Sequence, residues 1–591
     1  MITTTSTQRA VPKHPGPVHR KGSRARVLLA SVFGPYAQDD EYGGRRINPM
    51  ELYHNQVTRV QGGFSLRIFH RSWGLMMIQC NINARCNLLD FPTLQRFEQE
   101  LIDNDYDIVG IGSILVNVGK VKKMCELIRK HRPNATIVIG GHIANLPDLH
   151  KRIEADHIVR GEGVRWFRRF LGEDENQPLR HPVVLTPVNM RALGVNVPNS
   201  PGETSATLIP SVGCPLGCNF CSTSAMFGGK GKFIDFYESG DELFEILCGL
   251  ERESKAVSFF VMDENFLLLR KRALRLLELM KQHNKPWVFY LFASANVLKQ
   301  YTMEQLVDLG VSWIWMGLEG KDSQYGKLAG IDAKAMVREL QSHGIRVLGS
   351  TIIGLENHTL SNIGEAIEYA VDYGTDFHQF MLYTPLPGTP LHADLQSKGL
   401  IVDEKECELA EIHGQHKFNY RHPHIKGGEE TEILLNAFRR DFEVNGPSLV
   451  RMIRTMLTGY QRHKNHPDPR VRARFKWEVT GLPTAHMAVV AGAARYYRRR
   501  DPPMYRKIES LRRDLIAEFG LKAWLVSAIG GRYVSFALKR EIKRLAAGET
   551  LEPPTFYERN YELDANGQKG PVPTMCRYVS LGGRSVPVSA C

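Results

Sequence analysis

Long hydrophobic runs are missing from this 591-residue sequence, in which no uninterrupted stretch of roughly eighteen apolar residues occurs. We therefore expect no membrane-spanning helix. The segment from Met1 to Arg9 also lacks the apolar core of a signal peptide. Cysteine is sparse, with ten residues in the whole chain, which excludes a disulfide scaffold. These absences predict a protein of the cytoplasm, and the length predicts about two to four domains.

Acidic residues are almost absent from two stretches that hold much of the net charge of +13. Residues 1–24 carry five Lys and Arg and no acid, and residues 451–500 carry twelve against two acids. The rest of the chain is therefore close to neutral. A basic surface of this kind attracts anionic lipid, nucleic acid or an acidic partner, and it is equally typical of a plain solvated surface.

Three cysteines stand together in the segment Cys214-Pro-Leu-Gly-Cys218-Asn-Phe-Cys221. We expect the preceding apolar run, 206–212, to be a strand that leads into a loop, because the proline and glycine disfavour a helix. Three thiolates can hold a [4Fe–4S] cluster, which normally takes four, and would leave one iron open for a substrate. The alternatives are three unrelated buried thiols and a zinc site with a histidine, although no histidine lies between His181 and His283.

Strands and amphipathic helices alternate over two parts of the sequence, which predicts an α/β fold. In residues 25–175 the strands are near-continuous apolar runs, typical of a parallel sheet covered on both faces. A Pro-rich linker is predicted at 176–204. Six βα units over 205–400 then predict an incomplete parallel barrel. Ligands of both folds bind beyond the carboxyl ends of the strands.

The two ends of the chain lack this alternation. Residues 1–24 are rich in Thr, Ser, Pro and basic side chains, and are predicted to be a disordered arm. Residues 401–591 have the pattern of helices, with an irregular tail from about 550. Within them, 485–500 and 521–540 place arginines and aromatic residues after an apolar helix. That order is typical of interfacial membrane helices, and also of packed core helices with a solvated end.

The cysteine spacing, with Phe220 before the third cysteine, resembles the signature of the radical S-adenosylmethionine enzymes. In that family the open iron of the cluster binds S-adenosylmethionine, whose reductive cleavage yields a 5′-deoxyadenosyl radical. The resemblance implies that Cys214, Cys218 and Cys221 ligate the cluster, and that the central domain is a partial (β/α)6 barrel of the TIM type. It also implies an electron donor such as a flavodoxin or a ferredoxin.

Residues at the ends of the later strands are assigned by the same resemblance. Glu319 in Gly-Leu-Glu-Gly, and Gly354 at the end of Gly-Ser-Thr-Ile-Ile-Gly, resemble positions that contact the ribose and adenine of S-adenosylmethionine. A carboxylate suits two ribose hydroxyls because it accepts two hydrogen bonds. Ser294 ends the third strand and is a further cofactor-binding candidate. Asp263 and Tyr383 end the second and sixth strands and are candidate catalytic residues. Glu264 and Asn265 follow Asp263, and both Asp263 and Glu264 could equally cap the next helix or contact a ligand.

Strand ends of the N-terminal domain resemble those of a Rossmann-like cobalamin-binding domain. Taken singly, their glycines are also ordinary turns, but glycine lets a bulky planar ligand approach the backbone. The loop Asp-x-His-x-x-Gly of many cobalamin proteins is missing after the first strand, where the sequence is Val32-Phe-Gly-Pro-Tyr36. The resemblance thus implies cobalamin bound without a histidine ligand, unless binding has been lost. The residues it assigns to cobalamin are Ser113, Leu115, Gly140, Gly141, Gly161, Glu162 and Gly163.

The resemblance covers about residues 25–400 and predicts a cobalamin-dependent radical S-adenosylmethionine enzyme. The commonest reaction of such enzymes is methyl transfer to an unactivated carbon, here of a lipid-like or secondary-metabolite substrate. The alternatives are a non-methylating radical cyclase or C–C bond-forming enzyme, and a tRNA-modifying radical enzyme. Since no RNA-binding module is recognisable, we expect no nucleic-acid partner. We expect instead peripheral contact with an anionic membrane at its inner face.

Overall fold

The computed structural model describes residues 17–196, 204–320, 328, 330–563 and 570–582. It confirms the predicted fold class, which combines an N-terminal α/β domain, a central partial barrel and a mainly helical C-terminal region. Strands and α-helices are numbered below in chain order. In the described parts of the chain, no helix is long and apolar enough to cross a membrane.

The N-terminal domain is a parallel sheet in the order β3-β1-β4-β5-β6, with buried strands and helices on both faces. Residues 17–24, from the predicted arm, lie against it through the Lys21–Asp107 ion pair. The elements of this part of the chain are β1 (Arg26–Ser31), β2 (Leu66–Phe69), α1 (Trp73–Asn81), β3 (Arg85–Asp90), α2 (Leu94–Asp103), β4 (Ile108–Gly112), α3 (Val118–His131), β5 (Thr136–Gly140), α4 (Leu149–Arg152), β6 (His157–Ile158) and α5 (Gly163–Phe170).

The barrel strands follow in the order β18-β17-β16-β15-β14-β11, all parallel. Their alternate side chains pack either on the outer helices or into the barrel interior. The barrel elements are β11 (Ser205–Leu208), β12 (Ser211–Val212), α6 (Ser222–Met226), β13 (Ile234–Asp235), α7 (Gly240–Ser254), β14 (Ser258–Val261), α8 (Arg270–Gln282), β15 (Val288–Phe292), α9 (Ala295–Leu298), α10 (Met303–Asp308), β16 (Val311–Glu319), α11 (Ala333–Ser342), β17 (Arg346–Ile353), α12 (Ile363–Val371), β18 (Phe377–Leu382) and α13 (Pro390–Ser397).

The described residues of the predicted linker, 176–204, include four short strands, which the sequence interpretation missed. They are β7 (Arg180–Pro182), β8 (Leu185–Thr186), β9 (Val188–Ala192) and β10 (Val195–Asn196). Strand β8 pairs antiparallel with β11 at the barrel edge, and β9 pairs with both β10 and β2. The strand predicted at 65–70 therefore belongs to a separate three-stranded sheet, and β3 takes its expected place beside β1.

The C-terminal region closes the barrel with helices α14 (Glu430–Asn445), α15 (Ser448–His463), α16 (Pro469–Glu478), α17 (Met487–Tyr497) and α18 (Pro502–Ala546). The described part of the tail beyond 550, which was predicted to be irregular, contains strands. It forms β19 (Phe556–Arg559), β20 (Thr574–Met575) and β21 (Tyr578–Ser580), of which β19 pairs with β3 and β21 with β7. Aromatic Phe556 and Tyr557 suit this added strand, which lies between β3 and β20.

Candidate functional site

The three cysteines lie on a tight loop between β12 and α6, at the carboxyl end of the first barrel strand. Gly217 has a φ of +68°, and a Cβ there would lie 2.5 Å from the Lys230 side chain, so only glycine lets the loop fold back on itself. The amide of Cys221 donates to the Cys218 carbonyl at 3.1 Å, and the Ser224 hydroxyl donates to the Cys214 carbonyl at 3.1 Å. The loop is thereby fixed with its thiols half-exposed.

A cavity of about 320 Å³ lies in front of this loop, and we call it the loop cavity. All three cysteines line it. Four of the residues that the sequence assigns to S-adenosylmethionine or to catalysis also line it, namely Phe220, Ser294, Glu319 and Tyr383. The other two, Asp263 and Gly354, do not. Six separate strand ends therefore converge on one space, as the barrel fold requires.

Ser294 and Glu319 are held in this cavity by local structure. Ser294 exchanges two hydrogen bonds with Asn265, one through its hydroxyl at 3.0 Å and one through its amide at 3.2 Å. Glu319 is buried and has a φ of +53° at the end of β16, where the register with β17 shifts. A non-glycine residue in this conformation costs about 1–3 kcal/mol, and such strain concentrates at ligand sites. Asn265, which follows the second barrel strand, is thus part of the site and positions Ser294.

Asp263 and Glu264 differ in what their carboxylates contact. Asp263 forms an ion pair with Arg272 at 3.0 Å and accepts hydrogen bonds from the Ser211 hydroxyl and the Asn265 amide. Glu264 lines the loop cavity, and its Oε2 is buried without a hydrogen-bond partner among the described residues. Burial raises the pKa of Glu264 to about 7. Of the two carboxyl groups that the sequence left open between helix capping and ligand contact, Glu264 is thus the one with a bonding position left for a ligand.

A second cavity, of about 530 Å³, lies between the carboxyl ends of the N-terminal strands and the barrel, and we call it the interdomain cavity. The predicted residues Ser113, Gly140, Gly141, Gly161, Glu162 and Gly163 line it, and Asp263 and Glu264 face it from the barrel. A Cβ at Gly140 or Gly161 would have no atom closer than 3.9 Å, so these glycines leave room for a ligand. At Gly141 a Cβ would lie 2.5 Å from the Ser113 carbonyl, so this glycine serves chain packing.

Three further predicted cofactor residues make packing or capping contacts in the structure. Leu115 does not line the interdomain cavity but packs on the sheet core, and Gly354 lies against the Phe418 ring, outside the loop cavity. The carboxylate of Glu162 accepts the amides of Val164 and Arg165 and so caps α5. All three residues lie near strand ends, where packing or capping accounts for the residue type. The sequence pattern does not distinguish these roles from ligand binding.

His142 is a site residue that was missed. It follows Gly141 in the sequence, lines the interdomain cavity, and has a buried Nδ1 with no hydrogen-bond partner in the described part of the chain. Burial lowers the pKa of this imidazole, which is therefore neutral. His54 and His70, the first two histidines after strand β1, do not line this cavity.

The third cavity, of about 580 Å³, lies inside the barrel, and we call it the apolar cavity. The interior side chains of β14, β15 and β16 line one wall, namely Phe260, Tyr290, Phe292, Trp313 and Trp315. The sheet of β2, β9 and β10 and helices α15, α17 and α18 supply the opposite wall. The few charged or titratable side chains include His70, Arg346 and His486, and burial lowers the pKa of each histidine to about 4.

Phe292 lines all three cavities. Its ring stacks on Trp315, with centroids 5.2 Å apart, and Trp315 separates the loop cavity from the apolar cavity. Glu264 is shared by the loop and interdomain cavities. Ligands in the three spaces would therefore meet around Phe292.

The donor sets fit the cofactors that the sequence implies. Three thiols at the edge of one open cavity suit a cluster with one free iron. Burial raises the pKa of the Cys214 thiol to about 11, so its thiolate form requires a cationic partner such as iron. In the described residues no three His, Cys, Asp or Glu side chains gather around a single ion position. The ligands of a four-iron cluster lie farther apart than those of one ion.

Two protein-family models match the chain: the B12 binding domain over residues 74–171 and the Radical SAM superfamily over residues 208–370. These segments contain the strand ends of the interdomain cavity and the cysteine loop, respectively. Strand β1 and the last barrel strand, β18, lie outside the two matched segments.

Several curated proteins are similar to the chain. Bacteriochlorophyllide d C-8(2)-methyltransferase of Chlorobaculum tepidum is 24% identical over 391 residues, which are 62% of this chain and 83% of that protein. Hopanoid C-2 methylase of Rhodopseudomonas palustris is 24% identical over 51% of this chain and 60% of its own length. The anaerobic magnesium-protoporphyrin IX monomethyl ester cyclase of Cereibacter sphaeroides is 24% identical over 60% and 62%.

Among solved structures, the radical S-adenosylmethionine methyltransferase TsrM of Kitasatospora setae, with cobalamin and a [4Fe-4S] cluster bound, is similar to this chain with a TM-score of 0.44. The sequence identity is 14%, and the match covers 63% of this chain and 78% of that one.

Proposed function

The chain is a radical S-adenosylmethionine enzyme that carries a B12-binding domain, and we propose that it transfers a methyl group to an unactivated carbon of an apolar, lipid-like molecule. Its cofactors are a [4Fe–4S] cluster, S-adenosylmethionine and cobalamin. The observation that carries the proposal is the meeting of three cavities at Phe292, because methyl transfer requires S-adenosylmethionine, cobalamin and the substrate in register.

Each cavity receives one role in this proposal. Cys214, Cys218 and Cys221 hold the cluster, Ser294 and Glu319 hold S-adenosylmethionine in the loop cavity, and the glycine-lined interdomain cavity holds cobalamin. When bound, the cluster and S-adenosylmethionine supply a hydrogen-abstracting radical and cobalamin supplies the methyl group. Phe292 and Trp315 present aromatic faces at the junction and exclude water from it.

The apolar cavity supports a large hydrophobic substrate. Its walls consist mainly of aromatic and aliphatic side chains, and its volume of about 580 Å³ is within the range of small-molecule sites. Arg346, at the start of β17, is held by the Ser312 hydroxyl and by Glu478 at 3.4 Å. A substrate would therefore place its apolar body along the barrel, with the reacting carbon beside Phe292 and any polar group near Arg346 or His70. The bacteriochlorophyllide and hopanoid methylating relatives favour a methyl acceptor of this class.

Cyclisation is the second candidate reaction, because the chain is similar to a ring cyclase. The products formed from S-adenosylmethionine distinguish it from methyl transfer. The test uses reconstituted protein, reduced flavodoxin or ferredoxin as electron donor, cobalamin, S-adenosylmethionine and an apolar extract of the source cells. We expect S-adenosylhomocysteine and 5′-deoxyadenosine in equal amounts, since each methylation consumes two molecules of S-adenosylmethionine. Extract-dependent 5′-deoxyadenosine without S-adenosylhomocysteine would favour the cyclase, and RNA-dependent turnover would favour the tRNA-modifying alternative.

A further inference from the structure

Helix α18 is broken at Gly520, where φ is 64° and ψ is −144°, and residues 521–546 form a separate arm that we call the C-terminal arm. The arm packs on α17 through small residues: a Cβ at Gly531 would lie 2.6 Å from the Ala491 side chain, and one at Gly530 would lie 2.9 Å from Ala488. The face toward α17 is therefore fully used, and the opposite face of the arm is left exposed.

That opposite face is apolar. It consists of Leu521, Trp524, Leu525, Ile529, Tyr533 and Phe536, which we call the exposed stripe. Their spacing of three to four residues places them on one side of the helix. Leu521 and Ile529 are each 70% exposed and Tyr533 is 61% exposed. Single exposed apolar residues are ordinary, but a contiguous row over four turns marks a binding surface.

The charge around the exposed stripe has one sign. Residues 519–540 contain no Asp or Glu, and their cations Lys522, Arg532, Lys539 and Arg540 are all exposed. The end of α17 adds exposed Arg498, Arg499 and Arg500. The ends of α17 and of the arm lie close together, because Tyr497 stacks on Phe64 and Leu538 contacts the neighbouring Gly63.

The exposed stripe is continuous with the apolar cavity. Tyr533 belongs to the stripe and also lines the cavity, and the next residue, Val534, lines it from the buried side of the arm. Ala485, which precedes α17, likewise lines the cavity and is exposed. The cavity therefore reaches the surface beside the stripe.

We propose that the exposed stripe and its cations dock the enzyme on an anionic lipid membrane, and that the apolar cavity opens toward this membrane beside Tyr533. Apolar side chains enter the acyl boundary while Lys and Arg bind anionic headgroups, as in interfacial helices. A hydrophobic molecule could then pass from the bilayer into the cavity without crossing water. Only the last step rests on the proposed function; the docking itself does not.

The test is flotation of the full-length protein with vesicles, without turnover. Vesicles of phosphatidylcholine alone are compared with vesicles that also contain phosphatidylglycerol. The stripe variant is Leu525→Gln/Ile529→Gln/Phe536→Gln, three residues that do not line the cavity. Its matched control, Ile102→Gln/Leu360→Gln/Val572→Gln, removes three exposed apolar residues elsewhere. A charge variant, Lys522→Gln/Arg532→Gln/Arg540→Gln, measures the electrostatic contribution to vesicle binding.

We expect wild-type protein and the matched control to float with the anionic vesicles, and binding to weaken with salt. Partitioning should fall about tenfold or more in the stripe variant, and also in the charge variant. The proposal is overturned if wild type does not float, or if the stripe variant floats as well as wild type. A wild-type dimer that the stripe variant dissociates, without vesicle binding, would assign the stripe to a second copy of the chain. Vesicle binding in this test, combined with no methylated product in a separate assay with S-adenosylmethionine and an apolar extract, would contradict the proposed function alone.

Discussion

At the scale of single residues, Asp263 and Glu264 have different roles because their carboxylates have different hydrogen-bond partners. The Arg272 guanidinium and the Ser211 hydroxyl occupy Asp263, which therefore fixes the end of β14. Glu264 keeps one buried oxygen without a partner among the described residues, and its pKa of about 7 leaves it partly protonated at neutral pH. Of the two carboxyl groups, Glu264 is the one that can contact a ligand.

The cysteine loop gives the first prediction. Replacing Cys214, Cys218 or Cys221 by Ala should abolish the [4Fe–4S] absorbance and the formation of 5′-deoxyadenosine, because each removes one of three thiolate ligands. Absorbance spectra and product chromatography after anaerobic reconstitution measure both. Cys576→Ala is the control, since Cys576 lies in the tail outside the loop cavity. Retention of cluster and cleavage in all three variants would refute the assignment.

Gly140 gives the second prediction, for cobalamin. A leucine at this position should fill the interdomain cavity and lower the cobalamin content about tenfold or more, because a Cβ fits there but a longer side chain occupies ligand space. Cluster content should not change. Gly427→Leu is the control, since no atom lies within 4 Å of a Cβ at that position. Equal cobalamin content in wild type and Gly140→Leu would contradict the placement.

Histidine ligation of cobalt was expected to be absent, because the Asp-x-His-x-x-Gly loop is missing. In the described part of the chain, His142 is the histidine that lines the interdomain cavity, so the expectation concerns this residue. Electron spin resonance of bound Co(II) should show no imidazole nitrogen coupling. Coupling that disappears in His142→Gln, with cobalamin still bound, would make His142 a cobalt ligand.

At the scale of secondary-structure elements, strands β15 and β16 carry the junction of the cavities. Phe292→Ala should uncouple the reaction: 5′-deoxyadenosine would still form, while methylated product per 5′-deoxyadenosine would fall about tenfold or more, because small errors in register are costly. Phe289→Leu, on the same strand but facing the outer helices, should lower stability and leave this ratio unchanged. A wild-type ratio of methylated product to 5′-deoxyadenosine in Phe292→Ala would show that Phe292 does not keep the ligands in register.

The elements that could be predicted from the sequence are those whose evidence is local. The barrel strands are contiguous apolar runs, and the cysteine loop lies within eight residues, so both were located correctly. Ser294, Glu319 and Tyr383 could be placed because the carboxyl ends of parallel strands meet at one edge. The convergence of these residues on one cavity then follows from topology.

The elements that were missed depend on distant partners. Strand β19 pairs with β3 across more than 450 residues of sequence, and β9 pairs with β2 across about 120. Gly354 could not be distinguished from a ligand-binding glycine, because the Phe418 ring that approaches it lies 64 residues later. The apolar cavity is likewise built from three separate parts of the chain, so no local pattern indicates it.

At the scale of the whole molecule, buried histidines make the fold sensitive to acid. His181 accepts the Ile209 amide through Nε2 at 2.9 Å and contacts the Pro182 carbonyl through Nδ1 at 2.8 Å, an arrangement that requires the neutral ring. Burial lowers its pKa to about 4. Its contribution to stability is therefore present above about pH 6.5 and is lost as the pH falls toward 4.

When the pH falls from 7.5 to 5.5, the free energy of unfolding should decrease by about 1.4 kcal/mol because of this one residue. Urea midpoints at the two pH values measure the change, and His181→Gln should show a shallower pH dependence. Buried His378, whose pKa is also lowered to about 4, acts in the same direction and remains in the variant. Identical pH dependence in wild type and His181→Gln would show that His181 is not held neutral.

The central claim is that the chain methylates an apolar molecule in the barrel, and isotope transfer tests it most directly. The reconstituted enzyme is incubated with S-adenosylmethionine labelled with CD3 and with an apolar extract of the source cells, and the extract is analysed by mass spectrometry. The account predicts one lipid-like species that gains a CD3 group on carbon, and no such product with Ala192→Trp, which fills the apolar cavity from the side of β9. Turnover of S-adenosylmethionine that leaves the extract unlabelled, or label found only in a water-soluble product, would contradict it.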